Sequence, residues 1–319
     1  MQPAFSVIFL TTLIGAGQGL FLALYLAELG GRLNWFAAPA GAAFLALGAA
    51  LVVVLMVLGL VSSIFHLGRP ERGWRSASRW RTSWLSREVI VLPLFTGGAA
   101  LYGLLHWLLG AATLQSAPTL AVGAVTTVLS LALFLCTGMI YACLKFLQEW
   151  ASPLTVVNYF LLGAASGFTL ATALAAWAAP SLTAFFGPLA VALTALALLT
   201  RGAALLRNAR LKPKSTLQTA IGVKHPRIAQ KSQGMMGGSF NTREFFHGRT
   251  RALMRSVKWI FLVLVFPVPA ALLAAGLALD APAALAAAFL AQYLGLLAER
   301  WFFFAQANHP QNLYYQTVS

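Results

Sequence analysis

A polar stretch between two apolar segments of the sequence carries a histidine and a glutamate that could handle protons. His66 closes the second apolar segment and Glu88 opens the third, with Arg72 and Trp74 between them. Histidine titrates near neutral pH, and a partly buried glutamate can titrate in the same range. Such a pair could exchange protons with a quinone headgroup whose ring is held by the arginine and the tryptophan. The alternative is an interfacial belt, in which tryptophan and arginine only anchor the helix ends.

The composition places this stretch in a membrane protein. Hydrophobic residues make up 60% of the 319 residues and charged residues only 9%, against about a quarter in soluble domains. This excludes an ordinary soluble protein and predicts an all-α integral membrane protein, a bundle of eight transmembrane helices in one polytopic domain, residues 1–319. The apolar stretches long enough to span a bilayer are 4–27, 37–65, 89–110, 118–147, 154–178, 182–206, 257–278 and 282–305.

The basic residues predict the orientation of the bundle. The chain has 22 Lys and Arg against 7 Asp and Glu, a formal charge of +15. An even number of spans puts both termini and the loops after spans two, four and six on one face, and every basic residue except Arg32 is assigned to that face. The positive-inside rule then predicts a multi-pass protein of the cytoplasmic (inner) membrane with both termini in the cytoplasm. Two large basic loops, 67–88 and 208–253, would dock a soluble partner there. Because the basic residues are assigned to loops between apolar spans, nucleic acid is not the expected partner.

The polar stretch also resembles a known family. The pattern His66-Leu67-Gly68-x-Pro70-x-Arg72, then Ser76 and Arg79, then Leu85-Ser86-x-Glu88 resembles the membrane anchor subunit of dimethyl sulfoxide reductase, the DmsC type. The segment from Gly237 to Gly248 is similar to a second block of that family. Together with the eight spans, the resemblance covers essentially the whole chain.

The resemblance implies an anchor that carries no redox cofactor of its own. It would bind a four-cluster iron–sulfur subunit, which in turn binds a molybdopterin catalytic subunit, and electrons would pass between the nearest cluster and a quinone. Carried over by position, His66 and Glu88 are the proton-handling pair, and Gly68, Arg72 and Ser76 line or shape the quinone pocket. Gln18 in the first span could add a hydrogen bond to the ring, or could pack helices together beside its small neighbours.

Orientation selects among the relatives of this family. In its best-known member the catalytic subunits lie outside the cytoplasmic membrane, whereas the charge bias here puts the matching hinge inside. This favours the anchors of cytoplasm-facing sulfite dehydrogenase complexes, which implies oxidation of sulfite with reduction of ubiquinone or menaquinone. Two alternatives stay open: a reductase of the dimethyl sulfoxide type that oxidises quinol, and a stand-alone transporter. The second is disfavoured because the sequence shows no inverted repeat of broken helices.

Neither haem nor an iron–sulfur cluster is expected in the chain. Two-histidine haem ligation needs both side chains at similar depth. His106 lies about 27 Å along the third helix from Glu88, at about 1.5 Å per residue, and so at the face opposite to His66. Cys136 and Cys143 are too few for a cluster. The other histidines fall in loops or the tail, where solvated or subunit-contact roles are expected.

The interior is expected to hold few polar side chains, with Asn158, Tyr141, Gln292 and Tyr293 the notable ones. A chain of carboxylates across the membrane is missing from the sequence, so pumping is not implied and quinone chemistry should exchange protons on one side. In the loop 208–253, the aromatic run 240–246 favours docking over a disordered polybasic segment that binds lipid.

Overall fold

The computed structural model describes residues 1–35, 39–65, 67–110, 112, 116–229 and 247–314. Eight helical segments in these ranges are long and apolar enough to cross a membrane, which confirms the predicted bundle. The helices are α1 (Phe5–Arg32), α2 (Ala42–Ile64), α3 (Trp84–Leu109), α4 (Ala117–Ala142), α5 (Pro153–Ala178), α6 (Thr183–Ala209), the short α7 (Leu217–Ile221), α8 (Arg251–Val265), α9 (Pro267–Ala278), α10 (Pro282–Ala305) and the short α11 (Gln311–Tyr314). The pair α8 and α9 forms the seventh span.

Local sequence signals set several of these boundaries. The Ser83 side chain caps α3 by accepting the Ser86 N–H at 3.3 Å, and Ser152 caps α5 by accepting the Leu154 N–H at 3.2 Å. The seventh span is interrupted at Phe266, directly before Pro267. Proline has no N–H to donate and its ring crowds the preceding turn, so Pro267 explains the interruption.

Helices α1 and α5 form the centre of the bundle and pack closely along a seam of glycines. A Cβ added to Gly19 would collide with the backbone of Gly163, and one added to Gly167 would collide with the backbone of Gly19. Such small residues let two membrane helices approach until their backbones touch. Helices α2, α4, α6 and α10 pack around this pair.

Hydrogen bonds between helix ends and loops show which of them lie together at each of the two faces of the bundle. The Met1 ammonium donates to the Ala307 carbonyl at 2.7 Å, and Arg207 at the end of α6 donates to the Gln148 carbonyl at 3.0 Å. We call this face, which also holds the loop from α2 to α3, the hinge face. At the opposite face Arg32 at the end of α1 donates to the Ser116 carbonyl at 2.6 Å, beside the start of α4.

Candidate functional site

The hinge, residues 65–83, joins α2 to α3 and contains most of the predicted site residues. Gly68 and Arg72 are exposed, and Ser76 is half-buried in a 3-10 helix, Pro70–Arg79, that packs against α3. His66 lies outside the described residues. The structure therefore places three predicted pocket residues at the surface of the hinge face.

Arginines stack on tryptophans along the hinge and the start of α3. Arg75 lies over Trp74 at 5.5 Å, Arg81 over Trp80 at 4.9 Å and Arg87 over Trp84 at 4.2 Å. Trp74 and Trp80 are nonetheless 71% and 51% exposed. Tryptophan and arginine are enriched both in the energetic centres of protein interfaces and in membrane-interface belts.

Glu88 lies one turn into α3 and points into the bundle. Only 8% of its surface is exposed, and one carboxylate oxygen accepts a hydrogen bond from the Thr137 hydroxyl of α4. A carboxylic acid at this place is close to the hinge along the chain and is shielded from bulk water. It is therefore positioned to give or take a proton beside a ligand at the hinge.

Thr137 also lines a narrow cavity among α1, α4, α5 and α10, which we call the inner cavity. Gln18, Tyr159 and Arg300 share its wall, and the space holds about one water molecule. Gln18 is 1% exposed and its Nε2 donates to the Ser130 carbonyl of α4 at 2.9 Å. The structure thus places Gln18 in the wall of the same cavity as Thr137, the hydrogen-bond partner of Glu88, whereas Gly68, Arg72 and Ser76 lie on the hinge surface.

Two comparisons bear on the identity of this arrangement. The family model of the DMSO reductase anchor subunit (DmsC) matches residues 1–297. The chain is also 54% identical, over 327 aligned positions that cover all of both proteins, to a protein of Allochromatium vinosum that is named as a sulfite dehydrogenase subunit. The chain belongs to the DmsC family. It is the membrane anchor subunit of a molybdoenzyme complex, with catalytic and iron–sulfur partners, in a family generally associated with quinone.

This DmsC-family anchor contains a buried ion-pair cluster that sequence reasoning missed. Arg201 Nε of α6 lies 2.8 Å from Glu299 Oε1 of α10, and Arg300 Nη1 lies 3.5 Å from the other oxygen of Glu299. The guanidinium of Arg300 is stacked on the Tyr159 ring at 3.6 Å. All three charged side chains are at most 5% exposed.

The expectation of a sparsely polar interior is therefore wrong. The charge count assigns Arg201 and Arg300 to the basic face because both lie near predicted span ends, but both side chains are buried inside the bundle. A signal was available, since a charged residue inside an apolar span usually marks a partner or a pathway. Which helices meet at those residues could not be deduced from one sequence.

A second narrow cavity, the outer cavity, lies between α5, α6 and α10 near their ends at the hinge face. Its wall includes the half-buried Glu149 and Asn208, and the buried Arg201, Glu299 and Ala204. It also holds about one water molecule, and Tyr159 and Arg300 line both cavities. The stacked Arg300 and Tyr159 side chains thus separate two polar spaces that adjoin one another.

A different buried carboxylate, Glu28, lies at the opposite face of the anchor. Its oxygens accept hydrogen bonds from Tyr102 at 2.8 Å, Thr119 at 2.8 Å and Arg32 at 2.9 Å. His106 lies with its Nε2 3.6 Å from Glu28 Oε2, near the far end of α3, as the helical distance predicts. This cluster connects α1, α3 and α4 and is far along each helix from the hinge.

The described part of the loop before α8 adds one buried group outside the spans. His247 is 6% exposed and lies beside Trp301, with 6.4 Å between the ring centroids. Burial lowers the pKa of His247, and the nearby N-terminal ammonium and Arg249 lower it further. The aromatic run 240–246, which the sequence predicts to dock a partner, lies entirely outside the described residues.

Among the described residues, no group of three or more His, Cys, Asp or Glu side chains could hold a metal ion. Cys136 is buried in α4 and Cys143 is exposed at its end, and both are free thiols. The polar groups near the hinge are therefore hydrogen-bond donors, acceptors and proton carriers. This is the type of chemistry that a quinone headgroup requires.

Proposed function

We propose that this anchor passes electrons from an iron–sulfur subunit to the quinone pool, so that its complex oxidises sulfite to sulfate. The family membership supports the anchor role, and the full-length relative that is named as a sulfite dehydrogenase subunit supports the substrate. The observation that carries the quinone site is Glu88, a buried carboxyl group directly behind the hinge that bonds only to the neutral Thr137 in the described structure.

The quinone ring binds on the hinge side of Glu88 in this proposal. The inner cavity holds about one water molecule and is too narrow for a ring, so Gln18 acts behind the site and does not contact the quinone. His66 and Glu88 exchange protons with the two carbonyl oxygens. Gly68, Arg72 and Ser76 shape the entrance, and the glycine has open space on its Cβ side.

When bound, a quinone accepts two electrons and two protons and leaves as quinol. The residues of this chain hold its ring and supply the protons, while the electrons come from the partner. Both ubiquinone and menaquinone present two carbonyl oxygens, so the same pair of acids serves either. The site as proposed requires no haem in this chain.

The iron–sulfur subunit docks on the hinge face. The exposed Trp74 and Trp80, each stacked with an arginine, provide aromatic and guanidinium groups of the kind that dominate interfaces. The basic loop 208–253 adds positive charge around them. A four-cluster iron–sulfur protein, itself bound to the molybdopterin subunit, would place its nearest cluster beside the quinone.

The hinge face is the cytoplasmic face in this proposal, since it carries nearly all basic residues. A reporter that is active only in the cytoplasm, fused after Ser319, should therefore be active. Activity of a periplasmic reporter at the same position would reverse the orientation. That result would favour the second candidate, a reductase of the dimethyl sulfoxide type that oxidises quinol at the same site. The name of the family, the DMSO reductase anchor subunit, supports this candidate.

Substitutions of the two acids test the quinone site. His66→Gln and Glu88→Gln should leave sulfite oxidation with an artificial electron acceptor unchanged, because that chemistry lies in another subunit. Quinone-coupled activity should fall by about 10²- to 10⁴-fold, the usual contribution of proton transfer. The double variant should cost less than the product of the single losses, since the residues act as one unit.

The exposed hinge carboxylate Glu71 provides the matched control. Glu71→Gln removes a charge from the same hinge and should leave both activities unchanged. Full quinone-coupled activity in the His66 and Glu88 variants would rule out the proposed site. Loss of the acceptor-coupled activity as well would show that the two residues are needed for assembly of the complex.

A further inference from the structure

The Arg201–Glu299–Arg300 cluster is incompletely satisfied although it is buried. Arg201 Nη2, one oxygen of Glu299 and the Tyr159 hydroxyl are enclosed in protein and make no hydrogen bond in the described structure. Burying charges without full hydrogen bonding is expensive, and apolar residues of similar size would often be at least as stable. If the cluster only linked α6 to α10, apolar residues would serve at least as well, so a structural role alone does not explain why these three residues are charged.

The unsatisfied groups are adjacent to space. Arg201, Glu299 and Tyr159 line the outer cavity, and Tyr159 and Arg300 line the inner one. Each cavity has polar walls and room for about one water molecule, which are the conditions under which an internal water binds. Water in these positions would satisfy the buried groups and would connect them by hydrogen bonds.

We propose that these two cavities form a proton path from the hinge face to Glu88. It begins at Glu149 and Asn208, passes Glu299 and the Arg300–Tyr159 pair, enters the inner cavity and ends at Thr137, which donates its hydrogen bond to Glu88. This path rests on the proposed quinone site and adds a route for its protons. The start of this path, at Glu149 and Asn208, is separate from the hinge.

The proposed reaction needs such a route. Reduction of one quinone consumes two electrons from the iron–sulfur partner and two protons, one for each carbonyl oxygen, and forms quinol. Once Glu88 has given its proton, the group must be reprotonated from water before the next turnover. A partner docked over the hinge covers the direct way, whereas the outer cavity is lined by the half-buried Glu149 of the loop from α4 to α5, away from the hinge.

Two variants test the path in the intact complex. Glu299→Gln removes the buried carboxylate, and Ala204→Leu fills the outer cavity while every charge is retained. Ala204 is 8% exposed on that cavity wall, whereas its neighbour Ala203 is exposed on the outside of α6, so Ala203→Leu is the matched control. Quinone-coupled and acceptor-coupled sulfite oxidation are compared for all of them, in H₂O and in D₂O.

The path predicts that Ala204→Leu lowers quinone-coupled kcat at least about tenfold, with the quinone KM unchanged and a larger solvent isotope effect, because proton supply becomes limiting. Glu299→Gln should act alike, and Ala203→Leu should match the unaltered complex. Glu299→Gln leaves two buried guanidinium groups without their carboxylate. If that protein does not assemble, Ala204→Leu carries the test.

Unchanged quinone-coupled kcat in Ala204→Leu would overturn the path, and so would a raised quinone KM with unchanged kcat, which would indicate a binding contact. Failure of the proton path can be distinguished from failure of the proposed quinone site. If the His66 and Glu88 variants lose quinone activity while Ala204→Leu keeps it, only the path fails. If those variants keep it, the proposed site fails first.

Discussion

Two buried glutamates of this anchor each lie beside an arginine but differ in how fully their oxygens are hydrogen-bonded. Glu28 at the opposite face is fully buried, and its oxygens receive three hydrogen bonds, from a tyrosine, a threonine and an arginine. Glu299 on the hinge side of α10 has an arginine at 2.8 Å and another at 3.5 Å, but one oxygen makes no hydrogen bond in the described structure.

The difference lies in the space around them. Glu28 lines neither the inner nor the outer cavity, and its partners come from α1, α3 and α4. Glu299 lines the outer cavity and lies between two guanidinium groups. A carboxylate whose two oxygens both accept hydrogen bonds holds together the helices that supply the donors, whereas one with an unbonded oxygen beside a cavity can exchange protons with water. Burial of a charge therefore does not by itself indicate its role.

The largest expected effect is on the Glu28 cluster. Glu28→Ala leaves Arg32 without its carboxylate and the buried Tyr102 hydroxyl without its acceptor, so we expect a loss of roughly 3–5 kcal/mol in stability. Thermal unfolding of the detergent-solubilised complex measures it. Quinone-coupled turnover per assembled complex should stay unchanged, because the cluster is at the face opposite to the hinge.

The control for this variant is Asp280→Asn, which alters an exposed acid at the same face. Asp280 has φ +46°, and asparagine accepts that left-handed backbone. Its unfolding midpoint should match that of the unaltered complex. If Glu28→Ala kept full stability but lost quinone turnover, the roles of the two clusters would have to be exchanged.

The sequence could predict the spans and the hinge but not the two clusters. Hydropathy over about 20 residues is a local property, so the eight spans and the break at Pro267 follow from the chain itself. The position of Glu88 at the start of α3 follows in the same way. Its partner Thr137, and the pairing of Arg201 with Glu299, depend on which faces of distant helices meet. That information lies in tertiary packing, which one sequence does not reveal.

The smallest effects come from a matched pair of tyrosines, one in each cluster. Both hydroxyls are buried, and in both cases phenylalanine keeps the ring and its packing, Tyr102 against His106 and Tyr159 under Arg300. Tyr102→Phe removes a 2.8 Å hydrogen bond to the Glu28 carboxylate. We expect it to lower stability by about 1–2 kcal/mol, between the values for charged hydrogen bonds in soluble proteins and those in membrane bundles.

Tyr159→Phe should behave differently, because the Tyr159 hydroxyl makes no hydrogen bond in the described structure. The only partner proposed for this hydroxyl is an exchangeable internal water, so its removal breaks no bond between helices and stability should change by less than about 0.5 kcal/mol. Unfolding of the two variants side by side, in the same detergent, measures the contrast. Equal losses in both would mean that the Tyr159 hydroxyl is bonded to a protein group, as the Tyr102 hydroxyl is, and would contradict the water proposed beside it.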